Sequence, residues 1–271
     1  MAINDITLTA GMRSNLLSLQ KTADLFDRTQ IRLSTGKKVN NPIDDPVNYF
    51  AAKGHMDRAG DLAALKDSMN EAIQTIKAAD TGIKGIEELV AQARSLANSA
   101  LATSDTTVRS SLAAQFDELR TQIDQLARDS GYRGKNVINN NNLQVIFNED
   151  GTSSLTISGV DATSTGLGID QAQNNWKDET DITAAIADLD SAKVTLRQYA
   201  ETLSSNLAVV QTRIDFTNNM VNTLTKGAEN LTLADMNEEG ANMLMLQTRQ
   251  ALGTTALSLA SQAAQSVLRL F

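Results

Sequence analysis

LAALKDSMNEAIQTIKAADTGIKGIEELVAQARSLA, residues 62–97, carries the pattern that decides the fold. Leu62, Leu65, Met69, Ala72, Ile76, Ala79, Ile83, Ile86, Val90, Ala93 and Ala97 step alternately by three and four, and no polar residue interrupts them. Such a stripe stays on one side of a helix wound against another helix. The spacing predicts one helix over 46–103, roughly 85 Å long at 1.5 Å per residue. Four glycines, Gly54, Gly60, Gly82 and Gly85, weaken its intrinsic propensity, so packing must hold it.

Working outward, similar rows recur. Met12, Leu16, Leu19, Ala23, Phe26, Gln30 and Leu33 mark an N-terminal helix with one polar position, and Leu112, Phe116, Leu119, Ile123 and Leu126 mark a helix over about 106–129. A long seam follows at Leu203, Leu207, Val210, Ile214, Thr217, Val221, Leu224, Ala228 and Leu231, and a last one at Leu257, Ala260, Ala264, Val267 and Phe271. One stretch breaks the helical period. From 143 to 158 apolar residues alternate as Leu143, Val145, Phe147, then Leu155 and Ile157, with Asp150-Gly151 between the runs, which predicts a β-hairpin. The Gly/Thr-rich stretch 161–170 reads as a turn region before helix resumes. The fold class expected is mainly α: an elongated helical bundle or coiled-coil rod built from the N- and C-terminal halves, with a small central hairpin. An amphipathic helix cannot bury its own stripe, so the two chain ends must pair.

Both prolines of the 271-residue chain fall in LSTGKKVNNPIDDP, residues 33–46. Leu33 closes the first seam, and Gly36 suits a helix C-terminus. Asn41-Pro42 favours turn or extended backbone. Asp45-Pro46 supplies an N-cap acceptor and a ring preset for the first helical position, and Asp44 adds negative charge at the positive end of the dipole. The window is a joint between a terminal helix and a long rod.

Composition excludes several functions. Hydrophobic residues make up 41% but aromatics only 4%, which suits close helix packing. The net charge of −8 argues against nucleic-acid binding, and no run of about 18 apolar residues exists to span a bilayer. With no cysteine there is no disulfide or thiolate site. The start, MAINDITLTAGMRS, lacks the features of a cleaved secretory signal. His55, the only histidine, reads as a helix-surface residue, and Met236, Met243 and Met245 read as packing. Asp44 and Asp45 read as caps, not as an acid–base pair, and the Asn run 139–142 as a loop. No nucleophile–base set, metal motif or phosphate loop is present, so no enzyme and no cofactor is expected.

These residues carry a resemblance. LSTGKKVNNPIDDP, GYRGKNVI (131–138) and ADMNEEGANMLMLQTRQALGTTALSLASQAAQSVLRLF (234–271) resemble, in that order, segments of the bacterial flagellin family. The likeness covers about 1–138 and 180–271. It implies a filament subunit secreted to the extracellular flagellum for motility, exported unfolded through the flagellar type III apparatus. The implied domains are an inner coiled coil of 1–33 with 240–271, the joint 34–45, an outer rod of 46–138 with 180–239, and a hairpin and turn region at 139–179.

The implied partners are further copies in a helical homopolymer, an export chaperone at the C-terminal segment, and filament cap and hook-junction proteins, with no nucleic acid and no membrane insertion. The assembly seam implied is Met12, Leu16, Leu19, Phe26, Leu33, Leu257, Ala260, Ala264, Val267 and Phe271, ordered only on assembly. An R-x-R-x-L motif read by an animal Toll-like receptor in some flagellins aligns with Gln92, Arg94 and Leu96, but Gln92 replaces its first arginine, which implies weak activation. The alternative within the same class is a hook–filament junction protein. A cytosolic coiled-coil adaptor would need neither the hairpin nor the proline joint.

Overall fold

The computed structural model describes residues 10–268. Five helices are described: α1 (Ala10–Thr35), α2 (Pro46–Leu101), α3 (Thr106–Asp129), α4 (Glu179–Thr232) and α5 (Met236–Leu268). Between α3 and α4 lie strands β1 (Leu143–Ile146) and β2 (Ser154–Ile157) and a short 3-10 turn at Gln173–Trp176. The chain forms two compact units, one from residues 1–57 with 223–271 and one from 58–222. Helices α2 and α4 each contribute residues to both.

In the unit 58–222 the long stripe of α2 is its core. Ten of the eleven positions from Leu62 to Ala97 are buried, and Leu65 is half-buried. From Leu65 onward they pack in one cluster with Phe116 and Ile123 of α3 and with Ile182, Leu189, Leu196, Leu203 and Val210 of α4. Two α2 glycines permit this approach: a Cβ on Gly82 would lie 2.3 Å from Ser130 Oγ, and one on Gly85 would lie 2.8 Å from Leu126 Cδ2. Asp105 caps α3 by accepting from the backbone N–H of Thr107 and Val108. Arg109 then ties the α2–α3 turn together, its Nε donating to the carbonyls of Ala100 and Thr103 and its Nη1 to that of Lys177.

The hairpin pairs antiparallel, Leu143 opposite Ile157 and Ile146 opposite Ser154. Gly151 takes φ +68° in its loop. Val145, Phe147 and Ile157 are buried. Arg213 of α4 stands over the Phe147 ring at 5.1 Å.

The segment expected as a plain turn region differs. Ala162, Ser164, Leu167, Ile169 and Trp176 are all buried. Side chains of α3 hold the strap down: Asp124 accepts from the Ser164 N–H, Arg120 donates to the Ile169 carbonyl, and Asp117 accepts from the Ala172 N–H. Irregular backbone must have its polar groups satisfied when it is buried, and α3 supplies the partners. Asn136 does the same for the preceding loop. Its Nδ2 donates to the carbonyls of Ala127 and Arg128 at the end of α3, and its Oδ1 accepts from the Ile138 N–H.

Candidate functional site

The unit built from the two chain ends holds most of the residues singled out in the sequence. Gly36 takes φ +69°, and its N–H bonds to the Arg32 carbonyl at 2.8 Å, closing α1. Beyond it the joint pairs with the connection between α4 and α5. The N–H of Lys38 bonds to the Thr232 carbonyl at 2.7 Å, and that of Ala234 to the Gly36 carbonyl at 2.9 Å. Val39 is buried by this pairing.

After Pro42, Asp44 accepts from the N–H groups of Asn40 and Asn41, both at 3.0 Å. Asp45 accepts from the Asn48 N–H at 3.0 Å and from the Asn48 side-chain amide at 2.6 Å, just ahead of Pro46. Those donors hold both carboxyls below the usual carboxylate range: for Asp44 the Asn40 and Asn41 backbone, for Asp45 the Asn48 backbone and then its side chain. His55 is half-buried across from Gly227.

Helix α1 packs on α5. Arg32 and Glu239 form an ion pair across them at 2.8 Å, with Glu239 buried. A Cβ on Gly253 would come within 2.6 Å of Leu19 Cδ2, so this glycine sets how closely the helices approach. The face of α1 that is covered runs Met12, Asn15, Leu19, Thr22, Phe26, Thr29, Leu33, each of them buried or half-buried. It shares Met12, Leu19, Phe26 and Leu33 with the row expected from sequence. Of the remaining expected positions Ala23 is half-buried, whereas Leu16 and Gln30 are exposed and Asn15, Thr22 and Thr29 are covered beside the expected row. Both rows alternate three and four, so the period alone allows either. On α5 the covered face includes Glu239, Met243, Leu246, Gly253, Leu257 and Ala260. The side chains of Ala264 and Val267, and all of Phe271, lie outside the described residues.

The covered face leaves apolar rows outside. Met245, Leu252 and Leu259 recur every seven residues along α5 and are 50%, 67% and 61% exposed. Leu17 and Ile31 are likewise exposed on α1. Sequence reading missed the α5 row because it followed only the row that continues through Leu257. A second heptad row in the same helix was the available signal. Large apolar side chains left in open rows mark a surface for protein association. In the other unit, Gln92 is exposed and Leu96 half-buried in a cleft with Gln115, Glu118 and Leu119. Arg94 is paired with Asp190 of α4.

A helical protein with a buried heptad core and open apolar rows on its terminal pair presents a surface for association. Residues 3–143 match the bacterial flagellin N-terminal helical region, and residues 182–271 match the bacterial flagellin C-terminal helical region. The chain belongs to the bacterial flagellin family. It is 30% identical over 277 residues to flagellin FljM of Caulobacter vibrioides, the match covering 100% of both chains. It is 25% identical over 280 residues to a flagellin of Brucella melitensis, covering 99% of this chain and 97% of that one. Among solved structures, that of Bacillus cereus flagellin is similar over 55% of this chain and 88% of its own, with a TM-score of 0.49 and 19% identity. The chain is a structural subunit of the flagellar filament and not an enzyme. No described helix is long and apolar enough to cross a membrane.

Proposed function

We propose that the terminal pair α1–α5 is the part of this subunit that completes its fold in the filament, and that Met245, Leu252 and Leu259 are buried there by neighbouring copies. The observation that supports this is their exposure at seven-residue spacing on a helix whose other face is already covered. Burying such a row contributes roughly 25 cal/mol per Å² of apolar surface, less the cost of ordering the chain ends. The seam through Met12, Leu19, Phe26, Leu33, Leu257 and Ala260 then joins the two ends of one chain, and the outer rows join copies. The residues 34–45 act as the joint between this pair and a rod of 46–138 with 180–239.

The subunit is exported unfolded through the flagellar type III apparatus, with a chaperone on the C-terminal segment, and meets cap and hook-junction proteins at the filament ends. Filament subunit is preferred to junction protein because the family match runs through both terminal regions and the relatives are flagellins. Receptor activation through Gln92, Arg94 and Leu96 is weak, since Gln92 carries no charge and Arg94 is engaged by Asp190. A reporter-cell assay tests it; nanomolar potency would contradict the reading.

The central test is electron microscopy of purified protein after seeding with filament fragments. Long fibres are expected from the full chain. A chain lacking 257–271 should keep the 58–222 unit folded and add to no seed; normal fibres from it would refute the role given to the chain ends.

A further inference from the structure

Helix α1 offers α5 two flanks, one on either side of the shared column Met12, Leu19, Phe26 and Leu33. One flank carries Leu16, Ala23 and Gln30, the other Asn15, Thr22 and Thr29. Burial of apolar area by itself favours the first. The fold takes the second: Thr22 and Thr29 are 3% and 6% exposed, and Leu16 is 38% exposed. A directional contact must therefore outweigh the apolar preference.

That contact lies at the joint end of the pair. Among the described residues Glu239 is the only charged one that is buried. Its Oε1 accepts from Arg32 Nη1 at 2.8 Å, and the Arg32 side chain is 25% exposed. Arg32 Nε is closed off from solvent and has no acceptor, so the hold of the guanidinium on α5 runs through Nη1. Lys38, Asp44, Asp235 and Glu238 line the same polar cleft, but all four are exposed. Charges in water are screened and make weak geometric demands, whereas a buried carboxylate deprived of its cation is costly. Arg32 follows Thr29 by three residues. At 3.6 residues per turn it stands about 60° beyond Thr29, across the shared column from Gln30. Turning Arg32 onto Glu239 thus turns the threonine flank inward.

We propose that the Arg32–Glu239 pair is a positioning contact for assembly. It fixes which face α1 turns to α5, and with it the outward setting of Leu17 and Ile31, exposed apolar residues that α1 presents to other copies. Apolar packing is non-directional and tolerates rotation of a helix about its axis. A buried ion pair does not, and setting register is the best-attested use of such groups. The assembly half of the inference rests on the filament reading above; the choice of face does not.

The chain has no cysteine, so single thiols report each face. Leu16→Cys, Thr22→Cys and Phe26→Cys are made in the ordinary chain and in Arg32→Met with Glu239→Leu, an apolar replacement of the pair. Thiol labelling of the free subunit is then timed. In the ordinary chain Leu16→Cys should label at least about tenfold faster than Thr22→Cys. In the apolar background that ratio should fall to about one or below, while Phe26→Cys, common to both settings, stays slow. Equal rates in the ordinary chain, or a ratio unchanged by the double replacement, would overturn the proposal. Fast labelling of Phe26→Cys in the apolar background would show that the pair holds the helices together without selecting a face, which also overturns it. In a second arm, the apolar background without thiols is added to wild-type seeds, and its critical concentration should rise about tenfold. A wild-type critical concentration would remove the assembly role. Absence of fibres even from the wild-type chain would overturn the filament reading and the assembly half with it, and the labelling ratio still decides the face.

Discussion

Trp176, the chain's only tryptophan, is fully buried in the core of the 58–222 unit. Asn174, Asn175 and Trp176 all have positive φ, at 47°, 52° and 57°. Three consecutive non-glycine residues in the left-handed region cost about 1–2 kcal/mol each, less for asparagine. The indole, fully buried at 4.9 Å from the Phe116 ring, offsets that strain. Trp176→Ala should therefore lower the stability of this unit by about 3–5 kcal/mol and release the 160–178 strap, read as a lower melting temperature and faster amide exchange at 162–172. Unchanged melting would show that the strap is held by α3 alone.

The caps at the joint make an acid-sensitive counterpart. Asp44 and Asp45 are held below the ordinary carboxylate value, so their contribution is in place above about pH 3.9 and lost as pH falls through the depressed native values. Amide protection of Asn40, Asn41 and Asn48 should fall in that acid range and not near neutrality. Asp44→Asn with Asp45→Asn should abolish the transition.

At the scale of elements, α1 and α5 form the least self-sufficient pair. Their shared face buries Thr22 and Thr29 where the α2 stripe buries Ile and Ala. The Thr22 hydroxyl donates to the Ser18 carbonyl within its own helix, so it adds nothing across the interface. Thr22→Val with Thr29→Val should strengthen the pair by about 0.5–1 kcal/mol per site. In the free subunit, amides of 12–33 should exchange faster than those of 69–97, slow in the double variant, and become protected in the filament. Equal protection of both segments in wild-type monomer would contradict the view that the chain ends complete their fold on assembly. The heptad reading identified α1 correctly as amphipathic. It could not choose between the row through Leu16 and the row through Thr22, because Met12, Leu19, Phe26 and Leu33 belong to both. Gly253 and Glu239, more than two hundred residues away, make the choice.

For the whole molecule, folding of one unit and association of the other should be separable by mutation. Leu252→Asp places a charge in the open α5 row without touching the 58–222 core. It should abolish fibre growth, seen by electron microscopy, while the tryptophan emission that reports burial of Trp176 stays native. Fibres with normal growth would remove that row from the assembly surface.

What the sequence determined by itself was everything that repeats. The α2 stripe, the α4 seam, the hairpin alternation and the break between α1 and α2 at the prolines are local, because each helix turn or strand step reports its own exposure. The family could be read from the same residues. Tertiary structure alone decided where the non-repeating parts go: the strap ending in Trp176 under α3, the pairing of Lys38 with Thr232, and the α1 row that faces α5. Irregular backbone carries no period, and its burial depends on partners from distant segments to satisfy its polar groups. No single stretch of sequence records which partner that will be.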